Sequence, residues 1–222
     1  MSRVMRLIKA GIRADRNRIK RDIKVVFPVN WPSMWVLPLM VFLLSSIFMC
    51  GNLGNYQTKI TLGLLKDNPS NWNYFTQNGE LYRFLTYSVI HNNLTHYLSN
   101  MVSLLVLWMI SIVEKQKRVK RTYILAVVLG GLAQLHFTTA NQAIGIGASA
   151  GTKSLAGLYI GKMIKEKNWT LAFLFLFVSI VDDFIQISQN SQSSVIGSMG
   201  HLCGLLIGIA FGMFNFKNAS EK

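Results

Sequence analysis

Residues 145 to 161 read GIGASAGTKSLAGLYIG, an apolar, glycine-rich run interrupted by Ser149 and Lys153. Two other stretches hold groups of comparable chemistry. HNNLTHYLSNM carries His91, His96 and Asn100, and GSMGHLCGLLIGIAFG carries His201. A serine hydrogen-bonded to a histidine is an activated nucleophile, and its chemistry is acyl transfer. His96 and Asn100 are four apart and share a helix face, so both would serve as donors to a developing oxyanion, with the Ser149 backbone N–H as a third. His91 falls well off that face and is expected to turn away from His96.

Each residue also has a plainer reading. A single serine or glycine within an apolar helix is more often a packing residue, and an intramembrane asparagine often only bridges helices. Two histidines near each other can hold a metal, but no third ligand stands at a helical spacing, so no metal is expected. GASAG matches the G-x-S-x-G elbow, with Asp182 or Asp183 and then His201 in the right chain order. That elbow needs a strand before it in a soluble α/β sheet, and none is predicted. Nothing ties Asp182 or Asp183 to His201, so a Ser149–His201 dyad without an acidic third member is the expectation. Lys153 shares a face with Ser149 and has two readings. It is the base of a Ser–Lys dyad, deprotonated by desolvation, or a neighbour of His201 whose head group reaches cavity water. Cys50 and Cys203 make no metal or redox spacing and read as small buried residues.

The elements that must position these groups follow from composition. Of 222 residues 51% are hydrophobic and 14% charged, and the mean hydropathy is +0.33. Soluble domains carry about 25% charged residues. The apolar residues collect in uncharged runs near the 20 residues that a helix needs to cross a bilayer. Six spans are predicted, roughly 34–50, 94–113, 122–138, 145–163, 169–187 and 198–216. The fourth, with Ser149, Thr152, Lys153 and Ser154, is too polar to face lipid and belongs at the centre of an all-α, polytopic membrane bundle.

Basic residues orient the bundle. Nine of the 23 Lys and Arg precede the first span, five lie at 115–121, three at 162–167 and two in the tail. If six spans alternate, these share one side, which makes both termini cytoplasmic. The chain then divides into a basic cytoplasmic segment 1–33, a membrane domain 34–216 and a short tail 217–222, and a bacterial plasma membrane is the expected location. The net charge of +14 is mainly this topology signal. The basic start is read as attracted to anionic lipid, not nucleic acid, because no recognition fold accompanies it. The outer loop of about 51–90 is expected to lie structured in the membrane interface.

Gly200, Gly204, Gly208 and Gly212 recur every four residues on the sixth span, as Gly157 and Gly161 do on the fourth. Small residues at that spacing let helix backbones approach closely. Packing there would bring Ser149 to His201, with His96 and Asn100 at the same depth.

The combination resembles the rhomboid family of intramembrane serine proteases. HNNLTHYLSN fits the family's H-x4-H-x3-N pattern, GASA its G-x-S-G/A pattern, and GHLCGLLIG its A/G-H-x2-G-x3-G pattern. ELYRFLT is similar to its W-R segment, with Tyr82 for Trp and Arg83 kept. The resemblance implies a six-span rhomboid-like bundle, with Ser149 as nucleophile, His201 as general base, and Asn100 and His96 in the oxyanion hole. It also implies cleavage of transmembrane protein substrates near their outer ends without cofactor, with entry near the second and fifth spans, where Phe173, Phe175 and Phe177 would belong to a gate. Where the family commonly has an aromatic four residues after the serine, this chain has Lys153, a possible modulator. A catalytically silent rhomboid-like protein that binds membrane clients is the alternative. A transporter would need a polar chain through the inner halves of the spans, and none is seen.

Overall fold

The computed structural model describes residues 31–50, 58–59, 62–66, 79–114, 118–137, 143–188 and 192–214. Most of segment 1–33, most of the 51–90 loop and the tail 217–222 lie outside the described residues. Long helices dominate the rest. They are α1 (Trp31–Cys50), α3 (Leu94–Val113), α4 (Val119–Phe137), α5 (Ser149–Lys165), α6 (Trp169–Ser188) and α7 (Gln192–Phe214), with a short α2 (Arg83–Thr86) running into a 3-10 turn.

Apolar runs make these helices, and specific residues set their ends. Asn93 caps α3 from an extended conformation, its side chain accepting from the His96 N–H at 2.8 Å, which satisfies one of the first-turn donors. No side chain caps α5, whose preceding residue is Ala148. That helix does not begin at 145 as predicted. Gly147 has φ +112, a conformation open to glycine and strained for other residues, and it turns the chain so that helix starts at Ser149. Before the turn, β1 (Leu64–Lys66) and β2 (Ala143–Gly145) form an antiparallel ladder. This strand was not expected. It corrects the prediction that none precedes the serine, but a two-stranded antiparallel ladder is not the α/β sheet a nucleophile elbow requires.

α5 is the central helix, packed against α7, α4, α6 and α3, and it is buried from Ser149 through Thr152 and from Ser154 through Gly161. Its closest partner is α7. A Cβ on Gly157 would lie 2.3 Å from the Leu205 carbonyl oxygen, and one on Gly208 2.0 Å from that of Ser154. Only glycines permit this approach, so the two stripes read in the sequence face each other. Gly200 lies off that seam, where a Cβ would meet Gln134 of α4. At the far end, Lys162 of α5 pairs with Glu114 at the end of α3. The two helices therefore run parallel, with His96 and Ser149 at the same end.

The outward surface is apolar. Large side chains on α1, α3, α6 and α7 are exposed, among them Leu43, Val102, Phe173 and Leu206. Exposed apolar area on this scale marks a lipid-facing surface. Among the described residues, Leu94–Val113 and Gly197–Phe214 are long and apolar enough to cross a membrane, and α1 carries a shorter apolar stretch.

Candidate active site

Ser149 opens α5 and His201 lies in α7, one helical turn before Gly204. A Cβ at Gly204 would sit 2.1 Å from the Ala150 carbonyl oxygen, so the two backbones touch beside the site. The result is a 2.6 Å contact between Ser149 Oγ and His201 Nε2. Ser149 is 9% exposed. The two residues read as nucleophile and base are together.

His96 and Asn100 line the other wall. A Cβ on Gly147 would fall 2.8 Å from His96 Nε2 and 3.8 Å from Asn100 Nδ2. Both side chains thus face the turn that carries the serine. The Asn92 N–H approaches His96 Nδ1 at 3.4 Å. Nδ1 is the acceptor in that contact, so a neutral ring carries its proton on Nε2, the nitrogen turned toward Gly147. Asn100 Nδ2 donates one hydrogen to the His96 carbonyl at 3.0 Å and has a second to give. The Ser149 N–H, two residues after Gly147, is at an uncapped helix start and is a further available donor.

Two expectations are corrected. His91 does not turn away from His96. Its ring is buried and meets His96 edge-on at 5.1 Å between centroids, and Tyr97 at 5.7 Å. Burial, with the adjacent His96 ring, pushes the His91 imidazole down to about 4. An acidic group does join the dyad. Asp183 Oδ1 contacts His201 Nδ1, and Asp183 Oδ2 lies 3.0 Å from Lys153 Nζ. Lys153 also donates to the Ser179 carbonyl of α6. Its head group is held on α6, and the partner of Ser149 is His201. Sequence reasoning weighs Asp183 and sets it aside, yet a signal for it is present. A lysine in one apolar helix and an aspartate in another are each costly in lipid unless they meet.

Elsewhere, Arg83 is buried, pairs with Glu80 at 3.0 Å and donates to the Gly63 carbonyl at 2.9 Å. Phe173 and Phe177 face outward, whereas Phe175 turns inward and stacks on Tyr159. Cys203 is a free, half-buried thiol. No group of three or more His, Cys, Asp or Glu that could hold a metal occurs among the described residues.

Comparison with known proteins bears on the fold of the chain. Residues 78–218 match the Rhomboid domain family. A curated relative, Rhomboid-related protein 1 of Caenorhabditis elegans, is 27% identical over 154 residues, 64% of this chain and 42% of that protein. The chain thus spans less than half the length of that relative. The family match covers more than half of this chain and runs from the loop before α2 through α7. The chain belongs to the rhomboid family, whose members are integral membrane helical bundles.

Proposed function

We propose that this protein is an intramembrane serine endopeptidase that cleaves transmembrane segments of other membrane proteins near their outer ends. The observation that carries the reading is the 2.6 Å contact of Ser149 Oγ with His201 Nε2, opposite donors on His96 and Asn100.

In this reading Ser149 Oγ attacks the scissile carbonyl and its proton passes to His201 Nε2. The carbonyl oxygen becomes an oxyanion that accepts from the Ser149 N–H, His96 Nε2–H and Asn100 Nδ2–H. His201 then gives its proton to the departing amine, leaving an acyl ester on Ser149. Water entering from the outer face loses a proton to His201 and attacks the ester, and His201 returns that proton to Ser149 Oγ as the second product leaves. These steps call for no cofactor. The partners are transmembrane substrates and the bilayer.

The same reading has α1, α3, α4, α5, α6 and α7 cross the membrane in alternation, with both termini cytoplasmic. The basic residues of the sequence support that orientation, and the common ends of α3 and α5 fit it. Phe173 and Phe177, outward on α6, suit a route for substrates arriving sideways.

A fluorophosphonate probe tests the reading in purified, folded protein. The expected result is a covalent adduct on Ser149 that is lost in Ser149→Ala and nearly lost in His201→Ala. A folded wild-type protein without adduct would contradict it and favour a silent rhomboid-like protein that binds membrane clients.

A further inference from the structure

Three helices each supply one charged or ionisable group to a single chain of contacts behind Ser149. Lys153 of α5 lies 3.0 Å from Asp183 Oδ2, and Asp183 Oδ1 of α6 contacts His201 Nδ1 of α7. His201 Nε2 then meets Ser149 Oγ at 2.6 Å. The side chains are 19%, 14% and 13% exposed for Lys153, Asp183 and His201. Each carboxylate oxygen thus has its own partner. A carboxylate can only accept, so the Nδ1 that meets it must carry a proton. In the neutral ring this leaves the lone pair on Nε2, aimed at the Ser149 hydroxyl. Lone aspartate at this depth is costly, and the ammonium of Lys153 offsets that cost.

We propose that Asp183, held by Lys153, is the positioning residue that fixes His201 in the tautomer able to take the Ser149 proton. The inference rests on the protease reading for its consequence. Its structural content, the His201 tautomer, can be read independently. Lys153 acts as the counter-ion of Asp183, which explains a lysine where the family commonly places an aromatic.

The test compares Asp183→Asn, Lys153→Met and the double variant with the full-length wild type. Three quantities are measured: thermal stability in detergent, fluorophosphonate labelling rate, and the His201 tautomer by 15N NMR of histidine-labelled protein, assigned with His201→Gln. An amide at 183 offers an N–H as well as a C=O, so Asp183→Asn releases the tautomer. Labelling should fall roughly 10²- to 10⁴-fold, as in other serine triads that lose the carboxylate. Each single variant leaves an unmatched charge and should melt earlier. The double variant removes both charges and should recover stability while labelling stays slow. Recovery of both stability and rate in the double variant would reduce the pair to a structural ion pair and overturn the proposal. So would an unchanged His201 tautomer in folded Asp183→Asn protein. An unlabelled wild type whose tautomer still shifts on Asp183→Asn would sink the protease reading and keep the orienting contact.

Discussion

Adding one methyl group at Gly204 should disable the site from behind. A Cβ there would stand 2.1 Å from the Ala150 carbonyl oxygen, where ordinary contacts begin at 3.4 Å. The obstacle is backbone on both sides, so α5 and α7 must part by about 1.3 Å, the difference of those two distances. Ala150 adjoins Ser149, and Gly204 is one turn from His201. If most of that movement reaches the pair, the 2.6 Å contact opens to nearly 4 Å, beyond hydrogen-bonding range. Overpacking of this kind costs about 1–3 kcal/mol, and a misplacement of about 1 Å can cost about 10²-fold in rate. Labelling of Ser149 per folded molecule should therefore drop by about two orders of magnitude in Gly204→Ala. Two controls separate geometry from stability. Gly212→Ala meets the Leu158 carbonyl at 2.4 Å but lies about 16 Å further along α7 from His201, so it should melt early and label almost normally. Gly197→Ala has nothing within 4 Å and should change neither. A Gly204→Ala protein that labels like wild type would refute the claim that the glycine seam sets the Ser149–His201 distance.

Other perturbations probe other parts. Asn100→Ala should lower turnover on the order of 100-fold with little change in KM, because its hydrogen bond strengthens only as charge develops on the oxyanion; a change confined to KM would remove it from that role. His91 is held near 4 against an ordinary 6.5, so the unfolded chain binds its proton first on acidification. Stability should fall from about pH 6.5 down to about pH 4, by about 3 kcal/mol for those 2.5 units. His91→Gln should flatten the pH dependence of melting in that window, and an unaltered slope would contradict the burial argument. With Cys50 and Cys203 replaced, Leu81→Cys should react with an impermeant thiol reagent on intact cells and Glu166→Cys should not; the reverse pattern would invert the topology.

Much of the site could be read before the structure because its members stand out one at a time. Ser149, Asn100 and His201 are polar residues in apolar runs, and the glycine stripes carry their period in the chain itself. What failed to show was whatever depends on contact between helices or on residues outside them. Asp183 reaches His201 across the α6–α7 boundary, and a pairing between helices leaves no periodic trace. Extending the α3 helix backwards places His91 off the His96 face, but α3 starts at Leu94. Asn93 is extended, with φ −152 and ψ 173, so the residues before it leave the helical path, and His91 sits against His96. The strands of the ladder are three residues long, too short for an alternating pattern to declare itself.

Proteolysis itself is the most direct test of Ser149 as a nucleophile. Purified wild-type protein and its Ser149→Ala variant are reconstituted in liposomes with a single-span substrate, and the products are mapped by mass spectrometry. One or a few cuts near the outer end of the substrate span are expected with wild type and none with Ser149→Ala. Equal cleavage by both proteins, or an intact substrate beside folded wild type, would contradict it.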